Sequence, residues 1–159
     1  MAAVIVDVAE AVKDQLNDHD FDLEFTAVRG NSKQRKTLKE LKALTVDVVP
    51  VKWSTKKEDR GQPSKLPTID IFVRQKLGSV NQEQATGEIP NDETDPLVAL
   101  AESIVELFEP DQGDDDKDGR LDTYEDAAWK STDVMTGFVN DKFAETRVWQ
   151  AQIRLTFEV

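Results

Sequence analysis

The sequence contains no cysteine among its 159 residues, and aromatic residues make up only 7% of it. Without cysteine there is no disulfide framework, no thiol nucleophile and no thiolate metal site, which fits a reducing compartment. No stretch approaches the roughly 18 uninterrupted apolar residues of a membrane-spanning helix, and the first residues do not form a signal peptide. We therefore expect a protein that stays where it is made, does not contact a membrane, and binds any metal through oxygen ligands.

Residue patterns that carry enzymatic chemistry are also missing. The sequence has no glycine-rich phosphate-binding motif, no nucleophile elbow and no zinc-protease motif. Its single histidine, His19, lies in a polar turn after the first predicted helix, with no nucleophile nearby in sequence. Histidine catalysis requires hydrogen-bonded partners in defined positions. We therefore expect no catalytic residue and no enzymatic activity.

Charge, by contrast, is abundant and unevenly distributed. The formal net charge is -12, and charged residues make up 33% of the chain. Residues 29–76 carry 13 basic and 5 acidic side chains, whereas the remainder carries 7 basic and 27 acidic ones. This separation suits docking between unlike surfaces, although a hairpin with a solvated, lysine-rich face explains it equally well.

Apolar patterning predicts one α+β domain spanning residues 1–159. The predicted order of elements is helix, strand, strand, strand, helix, strand, strand, in a single mixed, mainly antiparallel sheet with both helices packed on one face. The first helix covers residues 3–17, where apolar side chains recur at three- and four-residue steps. The second helix is predicted to follow Asp95 as its N-cap, with Pro96 in its first position, and to stop at Pro110.

Alternation of apolar and polar residues predicts the strands. They are placed at residues 21–27, 44–53, 69–73, 127–135 and 149–159. In the second of these the apolar phase slips by one residue at Pro50, which indicates a bulge or an edge position. Trp53 lies in the same strand, and a tryptophan in an alternating pattern usually points into the core. We prefer that interpretation to a nucleic-acid surface, because the net charge of -12 opposes phosphate binding.

Three polar connections complete the predicted domain. Residues 78–93 are expected to form a flexible linker and residues 109–126 an acidic loop. Residues 55–66 are too long and too polar for a tight turn, and we expect them to form a long β-hairpin arm that a partner orders. The basic residues of this arm are the candidate partner contacts: Lys56, Lys57, Arg60 and Lys65.

One local motif matches a known metal-binding pattern. Residues 114–125 fit the calcium loop of an EF-hand at every specified position, with Gly119 at the sharp turn. The predicted ligands are Asp114, Asp116, Asp118, the backbone carbonyl of Arg120, Asp122 and Glu125. Pro110 and Gly113 interrupt the entering helix, and no second loop exists to pair with this one. A bound Ca²⁺ would therefore act as a structural staple, and the alternative is a solvated acidic linker.

Several segments together resemble a known family. They are the strand 44–53 with the arm that follows it, the return strand at Ile69-Asp70-Ile71, the segment 128–132 (Ala-Trp-Lys-Ser-Thr), and the amphipathic C-terminal strand. In pattern and order, over most of the chain, they resemble the small neck and tail-completion proteins of tailed bacteriophages, in particular tail terminators.

The resemblance implies a structural protein of the virion, assembled in the bacterial cytoplasm and located in the tail or neck. Tail terminators form hexameric rings that cap the tail tube and bind the head-completion protein, and DNA passes through the lumen without specific binding. The family has a plain connection where this chain has residues 114–125. Two alternatives stay open: a calcium-binding interaction module that uses this loop, and a head-completion protein, stopper or adaptor, of the neck.

Overall fold

The computed structural model describes residues 3–31, 40–57, 61, 63–77, 91–111, 113, 116–138 and 148–159, with only the backbone of residues 91, 92 and 138. The described part contains two α-helices, a short 3-10 helix at Glu40–Lys42 and six strands. The helices are α1 (Val4–Asp18) and α2 (Asn91–Phe108). The strands are β1 (Ala27–Arg29), β2 (Thr45–Lys56), β3 (Ser64–Lys76), β4 (Arg120–Leu121), β5 (Tyr124–Phe138) and β6 (Val148–Glu158).

All six strands belong to one sheet in the order β1-β2-β3-β6-β5-β4. β1 runs parallel to β2, and every other neighbouring pair is antiparallel. The predicted α+β architecture with a mixed, mainly antiparallel sheet is therefore confirmed. The sequence analysis missed β4, whose two residues are too few to produce a periodic pattern.

The core lies between the two helices and one face of the sheet. Ile71 of β3 pairs with Ile153 of β6, and both side chains are fully buried. The apolar stripe of α1 and that of α2 join these residues in one continuous cluster. Across it, the rings of Phe108 and Phe157 meet edge to face with centroids 6.4 Å apart. Burying a side chain of this size contributes roughly 1.5–3 kcal/mol relative to exposure, so this layer holds the fold together.

The segment between α1 and β1 does not form the strand predicted for residues 21–27. Only Ala27–Arg29 pairs with β2, while residues 21–26, which bend at Asp22 and Leu23, have no ladder partner among the described residues. The side chain of Asn17 anchors this segment, donating to the carbonyl of Ala27 at 3.1 Å and accepting from its N–H at 2.7 Å. Apolar and polar residues nevertheless alternate before β1, because the apolar ones, Phe21, Leu23 and Phe25, are partly buried against the edge of the core.

Helix α2 begins earlier than the sequence analysis predicted. It starts at Asn91 and contains Pro96, so Asp95 is not its N-cap. The first four N–H groups of a helix have no partner within it, and Pro96, the sixth residue, lies just beyond them, so the helix lacks the hydrogen bond that residue 96 would otherwise donate to the carbonyl of Asp92. Residues 91–93 of the predicted linker are thus helical, and residues 78–90 lie outside the described part. Among the described helices, neither has the length and apolar character needed to cross a membrane.

The β2–β3 pairing shows a register shift between Pro50 and Lys52, which confirms the predicted bulge. Beyond the bulge the two strands stay paired as far as Lys56 and Ser64, so the ends of the predicted arm 55–66 continue the ladder. β5 is longer than the predicted strand 127–135, because it starts at Tyr124 within the segment assigned to the acidic loop. Two further residues of that loop form β4.

Candidate interaction surface

The β2–β3 ribbon beyond the bulge carries most of the residues predicted to contact a partner. From Val51 to Lys57 every side chain is exposed. Lys56 and Lys57 lie in this exposed run, and Lys65 is exposed on the facing strand. Arg60 lies outside the described residues. The ribbon therefore presents three of the four predicted cationic side chains to solvent, free of the apolar core.

Trp53 belongs to this surface, although its alternating pattern predicted that it points into the core. Its side chain is 60% exposed, and it pairs with Pro67 on the sheet face that carries the helices. Together with Lys65 and the first residues of α1 it lines a shallow pocket of about 140 Å³. The alternating pattern identifies Trp53 as a strand residue correctly, but α1 begins beside the ribbon and does not extend over it. An exposed indole next to lysines is a favourable contact for a protein partner.

The sheet face opposite the helices holds two ion pairs that the sequence analysis missed. Arg74 donates from Nη2 to Asp47 Oδ2 at 2.5 Å, with the two side chains only 5% and 1% exposed. Beside them, Asp70 accepts from Arg154 Nε at 2.8 Å and Nη2 at 3.0 Å. The bidentate hydrogen bond that Arg154 donates to the Asp70 carboxylate raises the pKa of Arg154 above its already high ordinary value. Both carboxylates are thus engaged by guanidinium groups.

The structure places most of the predicted calcium ligands at one end of the molecule. Gly119 has φ +79°, the left-handed conformation expected at the sixth loop position. Asp118 Oδ1 accepts from the N–H of Arg120 at 3.0 Å, and Arg120 Nη1 donates to the carbonyl of Glu125 at 2.8 Å. Glu125 stands on strand β5, whereas an EF-hand places its last ligand at the start of a helix.

No three acidic or histidine side chains among the described residues are grouped closely enough to hold a metal ion, and Asp114 lies outside that part of the chain. Asp116, Asp118 and Asp122 instead line an open cleft of about 460 Å³. The other side of the cleft is formed by the C-terminal ends of α1 and α2, including His19 and Glu106. The calcium site stays a prediction.

The burial of an apolar side chain and hydrogen bonds from backbone N–H groups, without the acidic side chains, hold the C-terminal half of the acidic loop in place. Leu121 is 1% exposed, and the N–H of Asp122 donates to the buried side chain of Gln15 in α1 at 3.0 Å. The N–H of Trp129 donates to the carbonyl of Gly119 at 2.7 Å. The loop is thereby fixed to both α1 and β5, which positions the acidic side chains at the edge of the sheet where β4 lies.

Comparison with known proteins identifies the fold. No protein-family model matches the chain, and no curated protein matches it. Among solved structures, it is similar to a chain of the "Virion of native gene transfer agent (GTA) particle", with a TM-score of 0.57 and 12% sequence identity. The match covers 99% of this chain and 100% of that one. At this identity the two chains share a fold, and they share it from end to end.

Proposed function

We propose that this chain is a structural protein of a phage-like virion and acts as a tail terminator. Copies of it form a ring, which we expect to be a hexamer, that caps the tail tube and joins it to the head-completion protein of the neck. The observation that carries the proposal is the end-to-end fold likeness to a chain of a gene transfer agent virion. The sequence resemblance to tail-completion proteins points to the same role independently.

The surface of the molecule supports a role in assembly. Residues 51–66, which include the exposed run 51–57, carry five basic and two acidic side chains in the sequence, whereas residues 109–138 carry ten acidic and three basic ones. These regions lie at opposite sides of the sheet, since β2 and β5 are separated by β3 and β6. A subunit with unlike charge at its two sides suits head-to-tail contacts around a ring.

The function follows from assembly and requires no chemistry. A ring that binds the last layer of the tube occupies the surface on which the next layer would grow, and this stops polymerisation. The excess of acidic side chains outside residues 29–76 favours passage of DNA through the lumen, because acidic side chains repel the phosphates of the DNA backbone. The protein then resides in the tail or neck of the virion after assembly in the bacterial cytoplasm.

Assembly with the tail tube protein tests the proposal. We expect light scattering and negative-stain microscopy of the purified chain to show rings of about six subunits, alone or on the ends of tubes. Adding the chain to polymerising tube protein should cap the tubes and limit their length. A chain that stays monomeric at every concentration, with tube and neck proteins present, would overturn the proposal. Binding to the neck protein without binding to the tube would indicate a stopper or adaptor instead.

A second candidate function, calcium binding by residues 114–125, is favoured by the left-handed Gly119 and the buried Leu121 at the sixth and eighth loop positions. A ligand that binds only the folded state raises its stability by about 2.7 kcal/mol at a hundredfold excess over Kd. We therefore expect millimolar Ca²⁺ to raise the Tm relative to a chelator, and Asp118→Asn to abolish the rise. An equal Tm with Ca²⁺ and with chelator would leave the loop as an acidic connection.

A further inference from the structure

In the part of the chain that the structure describes, two strands of the sheet have long stretches with no partner on their outer side. In the described part of the chain, β1 covers only Val46–Val48 of β2, so the outer edge of β2 is open from Val49 to Lys56. On the other side of the sheet, β4 covers β5 only as far as Ala128, and Trp129 bonds to Gly119. As far as the described residues show, the outer edge of β5 is therefore open from Lys130 onward. Open edges of this length are templates for pairing with another strand.

Exposed apolar side chains are concentrated on the same two stretches. The described residues include six large apolar side chains that are strongly exposed, and four of these lie on the two open edges. They are Val51 at 42% and Trp53 at 60% on β2, and Val134 at 44% and Met135 at 64% on β5. Scattered exposed apolar residues are normal, but their coincidence with unpaired strand edges marks a surface for association.

The two edges carry complementary charge. The open edge of β2 contains Lys52 and Lys56 and no acidic residue, and Lys57 follows directly. The open edge of β5 contains two charged residues, Lys130, which forms an ion pair with Glu158 of β6 at 3.2 Å, and Asp133, and the acidic loop adjoins this strand. Pairing one β2 edge with another would bring lysines together, whereas pairing it with the β5 edge brings Lys52 to Asp133.

We infer that the copies of this chain join head to tail by strand pairing, the open edge of β5 in one copy with the open edge of β2 in the next. The inference rests on the proposed self-assembly and identifies the surfaces through which the copies contact each other. β2 and β6 run in one direction and β3 and β5 in the other, so this junction continues the sheet in antiparallel fashion. A contact between two different surfaces repeats from copy to copy and closes into a ring when the rotation allows.

The faces of the two strands match across such a junction. Trp53 and Val134 both stand on the sheet face that carries the helices, because Trp53 pairs with Pro67 and Val134 with Ile153. Lys52 and Asp133 both stand on the opposite face, where their partners are Thr68 and Arg154. In the register that sets Lys52 opposite Asp133, Trp53 lies opposite Thr132 and diagonal to Val134 on one face, and a cation lies opposite an anion on the other. Placing Lys52 opposite Asp133 also sets Ser54 opposite Ser131.

Cysteine cross-linking tests the pairing directly, because the chain has no native cysteine. We expect Ser54→Cys and Ser131→Cys to form no disulfide when each variant is oxidised alone. An equal mixture of the two should give covalent dimers, and the double variant should give a ladder up to the full ring. Dimers from Ser131→Cys alone would overturn the inference, since they would show β5 pairing with β5 of another copy.

Charge reversal provides the second test. We expect Lys52→Asp and Asp133→Lys each to weaken self-association about tenfold or more, and the double variant to restore it. Lys117→Asp, a charge reversal of the same sign at the acidic loop, serves as a matched control that leaves association within about twofold. Rings that form normally with both single reversals and give no cross-link would overturn this surface while leaving the tail-terminator role intact. A wild-type chain that forms no oligomer at all would instead overturn that role.

Discussion

Two tryptophans in alternating strands show how the covered and the open parts of this sheet differ. Trp149 on β6 is 3% exposed, and Trp53 on β2 is 60% exposed. Both stand on the face that carries the helices. The difference arises because helix α2 packs against β6, whereas α1 begins beside the β2–β3 ribbon. Alternation thus determines that a residue lies in a strand, and the length of the helices determines whether it is buried.

The same contrast separates stability from assembly. The centre of the sheet, β3 and β6, has neighbours on both edges and a helix layer on one face. The β2 ribbon and the end of β5 have an open edge each, in the described residues, and exposed side chains on both faces. We therefore expect changes in the centre to alter the free energy of unfolding, and changes at the open edges to alter association between copies.

The largest expected effect is that of truncating Phe157 in the covered centre. Phe157 is fully buried against Phe108, and Phe157→Ala should lower the free energy of unfolding by about 3–5 kcal/mol. Trp53→Ala removes a larger side chain from the open ribbon and should cost less than about 1 kcal/mol. Urea unfolding of both variants provides the measurement. Equal destabilisation by the two would contradict the division between centre and edge.

Two aspartates extend the comparison to charged residues. Asp47→Ala leaves the buried guanidinium of Arg74 without its partner, and we expect a loss of about 3 kcal/mol or more in the free energy of unfolding. Asp133→Ala on the open end of β5 should stay within about 0.5 kcal/mol of wild type. Replacing the pair together, as Asp47→Leu with Arg74→Met, should recover most of the stability. A double variant as unstable as Asp47→Ala would show that the ion pair itself stabilises the fold.

Long periodic segments allow most of this fold to be predicted from the sequence. β6 alternates over its whole length, α1 has an apolar stripe at helical spacing, and the phase slip at Pro50 identifies the bulge. Each of these signals depends on neighbours within a few residues. The predictions failed where a distant partner decides the outcome, as in residues 21–26, whose apolar and polar residues alternate but which pair with no strand among those described.

The candidate surface follows the same rule. Composition alone identifies Lys56, Lys57 and Lys65 as exposed residues of an arm, because lysines are rarely buried. The ion pair between Asp47 and Arg74 joins residues 27 positions apart, and the register of β2 against β3 creates it. Nor does the sequence reveal which strand edges are open, since that depends on how far β1 and β4 extend along their neighbours.

Gly119 provides a test of the acidic loop with an intermediate expected effect. Its φ of +79° is unfavourable for other residues, and an added Cβ would lie 3.2 Å from Cβ of Trp129 and 3.3 Å from Cδ of Pro110. We expect Gly119→Ala to lower the free energy of unfolding by about 1–3 kcal/mol. Gly137 is the matched control, because its φ of +157° is also positive but an added Cβ meets nothing within 4 Å. A larger loss for Gly137→Ala than for Gly119→Ala would contradict the close packing of the loop.

The smallest expected effect is at the partly exposed ion cluster around Glu10 of α1, which contrasts with the buried ion pair on the sheet. A hydrogen bond from Lys13, opposed by partial burial and aided by Arg29, holds the pKa of Glu10 below its ordinary value of 4.5. A carboxylate with a lowered pKa in the folded state stabilises the fold above its ordinary pKa, and this contribution is lost as the pH falls through the lowered pKa.

The Glu10 side chain is 39% exposed, so solvent screening limits the contribution to under about 1 kcal/mol. Glu10→Gln should therefore be slightly less stable than wild type in urea at neutral pH, and the difference should disappear in acid and shrink in high salt. A difference that persisted below the lowered pKa would mean that Glu10 acts through packing and not through its charge.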